Sequence, residues 1–257
     1  FMSYRAPHSF EGPIRDTLLY ADKGWPEIER VHAAKITLLD KHVGRLLEKL
    51  KEINQLDNTL ILFTSDNGPH YAKDGHQLEF FDSNGKFKGG KRDLYEGGIR
   101  VPLIAYWNQN IASGTVSNHI SSFQDIMPTF SEIIGFESVH DTDGISFLPT
   151  LLSKEQEKHK FLNWEFQLSG WFQTIPNGGF RQSVRMENWK AVRYDLGSSI
   201  ELYNLENDPG ETQDIAKLHP NIINRVDSIV KISRIDAVGF PYGGVKQDYK
   251  SMDVYGY

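Results

Sequence analysis

Thr59-Leu60-Ile61-Leu62-Phe63-Thr64 runs without a charge into Ser65-Asp66-Asn67-Gly68-Pro69. An uninterrupted apolar run of strand length, stopped abruptly by a polar turn, predicts a strand buried on both faces. Upstream, Ile28, Val31, Lys35, Leu38, Leu39, Val43, Leu46, Leu47, Leu50 and Ile53 recur mostly at steps of three and four, with charges between them. That period predicts an amphipathic helix over residues 27–53. Downstream, residues 70–98 read as a long loop rich in Gly and charge, and residues 101–107 as a second buried strand. Residues 123–134 read as a helix ended by Gly135. Residues 1–4 read as a strand end leading into a loop at Pro7-His8. The order helix, strand, loop, strand, helix predicts an α/β core with a mainly parallel sheet.

After Leu152 the texture changes. Residues 154–160 are highly charged, and short aromatic segments follow at 161–166, 182–186, 189–194 and 201–205. These predict a small antiparallel sheet, with a helix over 221–232 to cover it. The expected division is therefore 1–152 for the α/β core and 153–257 for a small α+β unit with its tail.

Composition narrows the function. The 257 residues hold 15 Phe, 11 Tyr and 5 Trp, enough aromatic surface to argue against disorder. The net charge is −6 and no Lys/Arg block dominates, so no nucleic-acid partner is expected. The absence of Cys excludes disulfides, thiolate metal sites and a cysteine nucleophile within these residues. No apolar run approaches the roughly 20 residues of a membrane-spanning helix, so no membrane partner is expected. The opening Phe1-Met2-Ser3-Tyr4 carries no initiator Met and no signal peptide. It is read as belonging to a longer polypeptide.

Three features carry chemistry. Asp66-Asn67 sits where the carboxyl end of a strand would lie, the place where open α/β sheets bind ligands. Carboxylate beside carboxamide gives two hard oxygen donors suited to Ca²⁺ or, less well, Mg²⁺. The same Asp-Asn-Gly-Pro is also strong turn chemistry. In Gly89-Gly90-Lys91-Arg92-Asp93-Leu94-Tyr95-Glu96-Gly97-Gly98-Ile99-Arg100-Val101-Pro102, glycines flank a cation, which suits close approach to an oxyanion. Pro7-His8 is the third.

Together and in this order, these stretches resemble the formylglycine-dependent sulfatases of the alkaline-phosphatase superfamily. Trp189-Lys190-Ala191-Val192-Arg193, Glu201-Leu202-Tyr203-Asn204-Leu205 and Asp208-Pro209-Gly210-Glu211 also look like that family's closing subdomain. The resemblance implies part of an alkaline-phosphatase-like α/β/α core and a sulfuric ester hydrolase. It implies Asp66 and Asn67 as ligands of Ca²⁺, and Lys91 and His8 as catalytic groups at the sulfate. Glu96 and Arg100, four apart, read as a structural pair that fixes the loop.

The family's Cys/Ser-x-Pro-x-Arg nucleophile motif is not among these residues. Glu11-Gly12-Pro13-Ile14-Arg15 keeps the Pro and Arg spacing but has Glu in the key position. The formylglycine and the first metal-binding Asp pair are expected upstream. The texture of residues 76–85 and 163–193 resembles bacterial polysaccharide-degrading sulfatases. This implies a sulfated sugar or an aryl sulfate as substrate, with His76, Arg185 and Trp171 as candidate substrate-binding residues, and a periplasmic or secreted location. Two other readings stay open: a phosphodiesterase or phosphonate monoester hydrolase of the same superfamily, and a non-catalytic sulfated-glycan binder. The oligomeric state is not legible in the sequence.

Overall fold

The computed structural model describes residues 1–8, 17–70, 75–136, 142–167 and 179–235. The first long element is helix α1, Glu27–Glu52. Glu27 and Glu29 sit in its first turn and Lys49 and Lys51 in its last, matching the helix dipole at both ends. It ends where Asn54 turns into the left-handed region at φ 55° and the Gln55 amide bonds back to the Leu50 carbonyl. No helix among the described residues is long and apolar enough to cross a membrane.

Strand β1, Ile61–Thr64, follows. The chain then passes two single helical turns, α2 (Leu78–Phe81) and α3 (Glu96–Ile99), and enters β2, Leu103–Tyr106. β1 and β2 pair antiparallel, with Ile61 opposite Tyr106 and Thr64 opposite Leu103. The α/β class stands, but the pairing of these two strands is not the parallel one the sequence suggested. A parallel return needs a crossover that carries the chain back along the sheet. Among the described residues the connection holds only single helical turns, and the chain re-enters from the end at which it left. Within this chain β1 is not buried on both faces either. Phe63, Leu103, Ile104 and Tyr106 are exposed, because among the described residues each strand has the other as its only partner. Residues 1–4 form no strand. The helix read over 123–134 is a 3₁₀ turn, Phe123–Asp125, running into α4, Ile126–Ile133. The single turn α5, Leu148–Leu151, completes this part.

The remaining strands, β3 (Leu162–Gln167), β4 (Phe180–Met186), β5 (Trp189–Arg193) and β6 (Glu201–Asn204), form one antiparallel sheet in sequence order. Helix α6, Pro220–Ile232, lies on one face. The period of two sorts the side chains. Val184, Met186, Ala191 and Leu202 meet Ile222, Val226, Ile229 and Val230 of α6. Val192 and Tyr203 face the other way and pack with Leu94 and Tyr95, from the loop between β1 and β2. The sheet thus has a helix behind it and the Gly-rich loop in front.

Candidate active site

Residues 65–70 and 88–100 lie backbone against backbone. The Gly68 amide donates to the Gly98 carbonyl (2.9 Å), the Lys91 amide to the Pro69 carbonyl (2.8 Å), and the Gly97 amide to the Lys88 carbonyl (2.8 Å). A Cβ on Gly68 would stand 1.8 Å from the Gly97 oxygen, and one on Gly98 2.1 Å from the Asp93 oxygen. No side chain fits between these strands of loop, which is why the sequence places glycine there. The contact brings the Asp66-Asn67 turn beside the Lys91 segment.

Lys91 in turn reaches the N-terminal segment. Its Nζ lies 3.2 Å from His8 Nε2, across 83 residues of sequence. The Lys91 ammonium donates when that nitrogen carries no proton. His70, next after Pro69, stacks near His8 with ring centroids 6.2 Å apart. Burial lowers the pKa of His70, and Arg92, Lys91 and His8 lower it further. His70 therefore favours the neutral state in a field that is already positive. Lys35 supports the cluster from α1. It is buried, and its Nζ donates to the His8 carbonyl at 2.9 Å. From sequence, His70 stands out only as an extra metal ligand under the phosphodiesterase reading, and Lys35 does not stand out for the site at all. The signal for Lys35 was a cation standing in the apolar stripe of a helix. The concentration of basic groups suits an oxyanion.

Asp66 is exposed and Asn67 half-buried. The Asn67 side-chain amide donates to the Gly68 carbonyl (2.9 Å), which leaves the carboxamide oxygen as its donor to a cation. The pair fits a hard cation as part of a shell. Ca²⁺ takes six to eight oxygens, and among the described residues no cluster of three or more acidic or His groups could hold an ion.

Of the other sequence candidates, His76 and Arg185 are engaged with partners other than Lys91 and His8. His76 is buried: Nδ1 bonds Glu29, Nε2 lies 2.7 Å from Ser83 Oγ, and the ring stacks on His32 at 3.8 Å. These contacts tie residues 76–83 to α1. Burial and the neighbouring His76 push His32 down to about 4, so it stays uncharged in this stack. Arg185 donates from Nη1 to Glu96 (3.2 Å) and from Nε to the Glu187 carbonyl (3.0 Å). Trp171 lies outside the described residues.

Glu96 anchors the loop to the small sheet. Besides Arg185, it meets Lys190 Nζ at 3.0 Å and Arg100 at 3.7 Å. Burial alone would raise its pKa, but Lys190, Arg185 and Arg100 outweigh that and hold it below the usual range. The structural pair read from sequence is thus one edge of a larger buried cluster.

Residues 2–136 match the family model described as Sulfatase, and residues 85–231 the one described as N-sulphoglucosamine sulphohydrolase, C-terminal. The chain is 28% identical to the uncharacterized sulfatase YdeN of Escherichia coli K12, over 96% of this chain and 48% of that protein. It is 30% identical to an N-acetylglucosamine-6-O-sulfatase of Bacteroides thetaiotaomicron, over 80% of this chain and 35% of the relative. A crystal structure of Ps i-CgsB in complex with k-i-k-neocarrahexaose shares 27% identity and a TM-score of 0.73, covering 89% of this chain and 48% of its own. The chain spans less than half the length of these relatives. With the Asp-Asn-Gly turn, the Lys91 loop and the closing sheet all inside the matched segments, the chain belongs to the sulfatase family.

Proposed function

We propose that these residues form the C-terminal part of a sulfuric ester hydrolase acting on a sulfated carbohydrate. The observation that carries this reading is the meeting of Lys91 and His8 at 3.2 Å beside the Asp66-Asn67 turn. Cleavage of a sulfate ester builds negative charge on the sulfuryl oxygens and the leaving oxygen. Fixed cations and a donor around that group stabilise the charge as it develops. Lys91 binds the sulfate and neutralises it. His8, held at its carbonyl by Lys35, donates to the leaving oxygen. Asp66 and Asn67 would hold Ca²⁺ as two of its ligands, with the remaining ligands and the formylglycine supplied from outside the 257 residues. The bound ion would supply Lewis-acid polarisation of a sulfuryl oxygen. The N-acetylglucosamine-6-O-sulfatase relative and the neocarrahexaose complex support a sulfated sugar over an aryl sulfate; a periplasmic or secreted location belongs to the same proposal.

The test compares His8→Ala and Lys91→Ala in the full-length polypeptide on a 6-O-sulfated amino sugar and on nitrophenyl sulfate. Proton donation is worth about 10²–10⁴-fold and matters most for a poor leaving group. His8→Ala should therefore cost more kcat/KM on the sugar than on the phenyl ester, and Lys91→Ala should harm both alike. Equal His8 losses on the two substrates would remove His8 from the proton-donor role. Unchanged turnover in Lys91→Ala would overturn the site.

A further inference from the structure

We infer that Asp93 is a positioning residue for Lys91, and that the small antiparallel sheet acts on the active site through it, by way of Arg181 and Tyr194. The inference rests on the role given to Lys91 above.

Asp93 closes the turn that presents Lys91. Its amide donates to the Gly90 carbonyl (2.9 Å), and its Oδ2 accepts from the Gly90 amide (3.0 Å). Lys91 and Arg92 stand at the apex between them. The turn is strained at Arg92, whose φ of 80° lies in the left-handed region that a long side chain disfavours. Such a conformation persists only where its surroundings over-determine it. A Cβ on Gly89 would stand 2.9 Å from the Asp93 side chain, so Gly89 makes room for the carboxylate.

The other carboxylate oxygen belongs to the sheet. Asp93 Oδ1 accepts from Arg181 Nη1 (2.8 Å) on β4 and from the Tyr194 hydroxyl (3.0 Å) just past β5. Arg181 Nη1 also donates to the Arg92 carbonyl, at the strained residue itself. The guanidinium lies over the Tyr194 ring, 4.5 Å from its centroid. Arg181 is only 8% exposed, so the pair is largely desolvated. A buried pair of this kind fixes geometry more than it adds stability. On its far side the Lys91 amide is bonded to Pro69. The Lys91 backbone is thus pinned between the Asp66–Pro69 turn and the sheet, and Asp93 makes the second attachment.

The experiment uses Asp93→Ala, Asp93→Asn and Lys91→Ala singly, and Asp93→Ala with Lys91→Ala together, in the full-length polypeptide. Amide hydrogen exchange is followed at residues 88–93, and sulfate release is measured on a 6-O-sulfated sugar. Asp93→Ala should speed exchange at the Gly90 amide and lower kcat/KM about 10²-fold, as expected for a displaced group. Asp93→Asn, which keeps an acceptor for Gly90, should recover part of both. In the Lys91→Ala background, Asp93→Ala should cost less than about threefold, because coupled residues are non-additive while a general structural defect adds. Unchanged exchange at Gly90 in Asp93→Ala would overturn the inference whatever the activity. A full additional loss in the Lys91→Ala background would overturn it too. If Lys91→Ala alone leaves turnover intact, the role of Lys91 has failed, whereas the exchange result still judges whether Asp93 holds the turn.

Discussion

Replacing Glu211 with Gln should flatten the pH dependence of stability between about pH 5 and 8. Glu211 is 1% exposed, and its Oε2 accepts from the Glu96 amide at 2.7 Å. Its Oε1 has no hydrogen-bond partner among the described residues. Burial pushes its carboxyl up from the ordinary 4.5 to about 7, against the opposing pull of Lys190 and the Glu96 amide. A raised folded pKa means that the folded state binds the proton more tightly than the unfolded one. The stability this gives is fully present below about pH 4.5 and is lost as pH rises through about 7. The difference, 7 − 4.5, is 2.5 units. At about 1.36 kcal/mol per unit it amounts to roughly 3 kcal/mol. Gln has nearly the shape of the protonated acid and does not titrate. Parent and Glu211→Gln should differ by less than about 1 kcal/mol at pH 5, with the variant about 3 kcal/mol more stable at pH 8. At about 2–4 °C per kcal/mol this is roughly 6–12 °C in Tm. Glu96, with its lowered pKa, contributes stability that is lost only on the acid side, below 4.5, and does not enter this window. The assay is denaturation followed by circular dichroism at pH 5, 6, 7 and 8 for both proteins. Titrations common to both, those of His included, cancel in the difference. Parallel stability curves across this range would refute the buried neutral carboxyl.

Lys190→Met removes the cation 3.0 Å from buried Glu96 while keeping most of the volume. Loss of one partner from a buried pair costs about 3–5 kcal/mol, and adding Glu96→Gln should recover part of it; a loss below about 1 kcal/mol in urea denaturation would show that Arg185 and Arg100 suffice. For the metal, Ca²⁺ should raise the Tm of the parent by mass action, and Asp66→Ala should abolish that response. An equal response to Ca²⁺ and chelator in both proteins would remove Asp66 from the ligand set.

Much of the fold was legible because it depends on local period. The stripe from Ile28 to Ile53 placed α1 within a residue of its observed end at Glu52. The four strand segments read after residue 160 became β3 to β6, and the two-residue turn at Glu187-Asn188 fixed the β4–β5 register. Strand direction in the core was not legible. It depends on how the chain returns from Thr64 to Leu103, and an apolar run reads the same in either direction. Burial of β1 departs from expectation for a related reason: a run of Leu, Ile and Phe states what the strand can bury, and its neighbours decide what it does bury.

The candidate site was legible where short motifs meet, and illegible where single charges support them. Asp66, Asn67 and Lys91 announced themselves by the glycines that let two loops stack without side chains between them. The supporting charges sit at positions whose period marks them as interior. Lys35 occupies the apolar stripe of α1 and holds the His8 carbonyl. Lys190 alternates with Ala191 on β5, so it faces the loop, where it meets Glu96 with none of its surface in water. Arg181 faces the same way from β4 and meets Asp93. A charge placed on a buried face costs free energy unless it is paired, so each implies a partner elsewhere in the chain. In all three cases that partner lies in a segment around the candidate site: the His8 loop, Glu96 and Asp93. Such a position states that a partner exists, and the fold supplies which segment of the chain provides it.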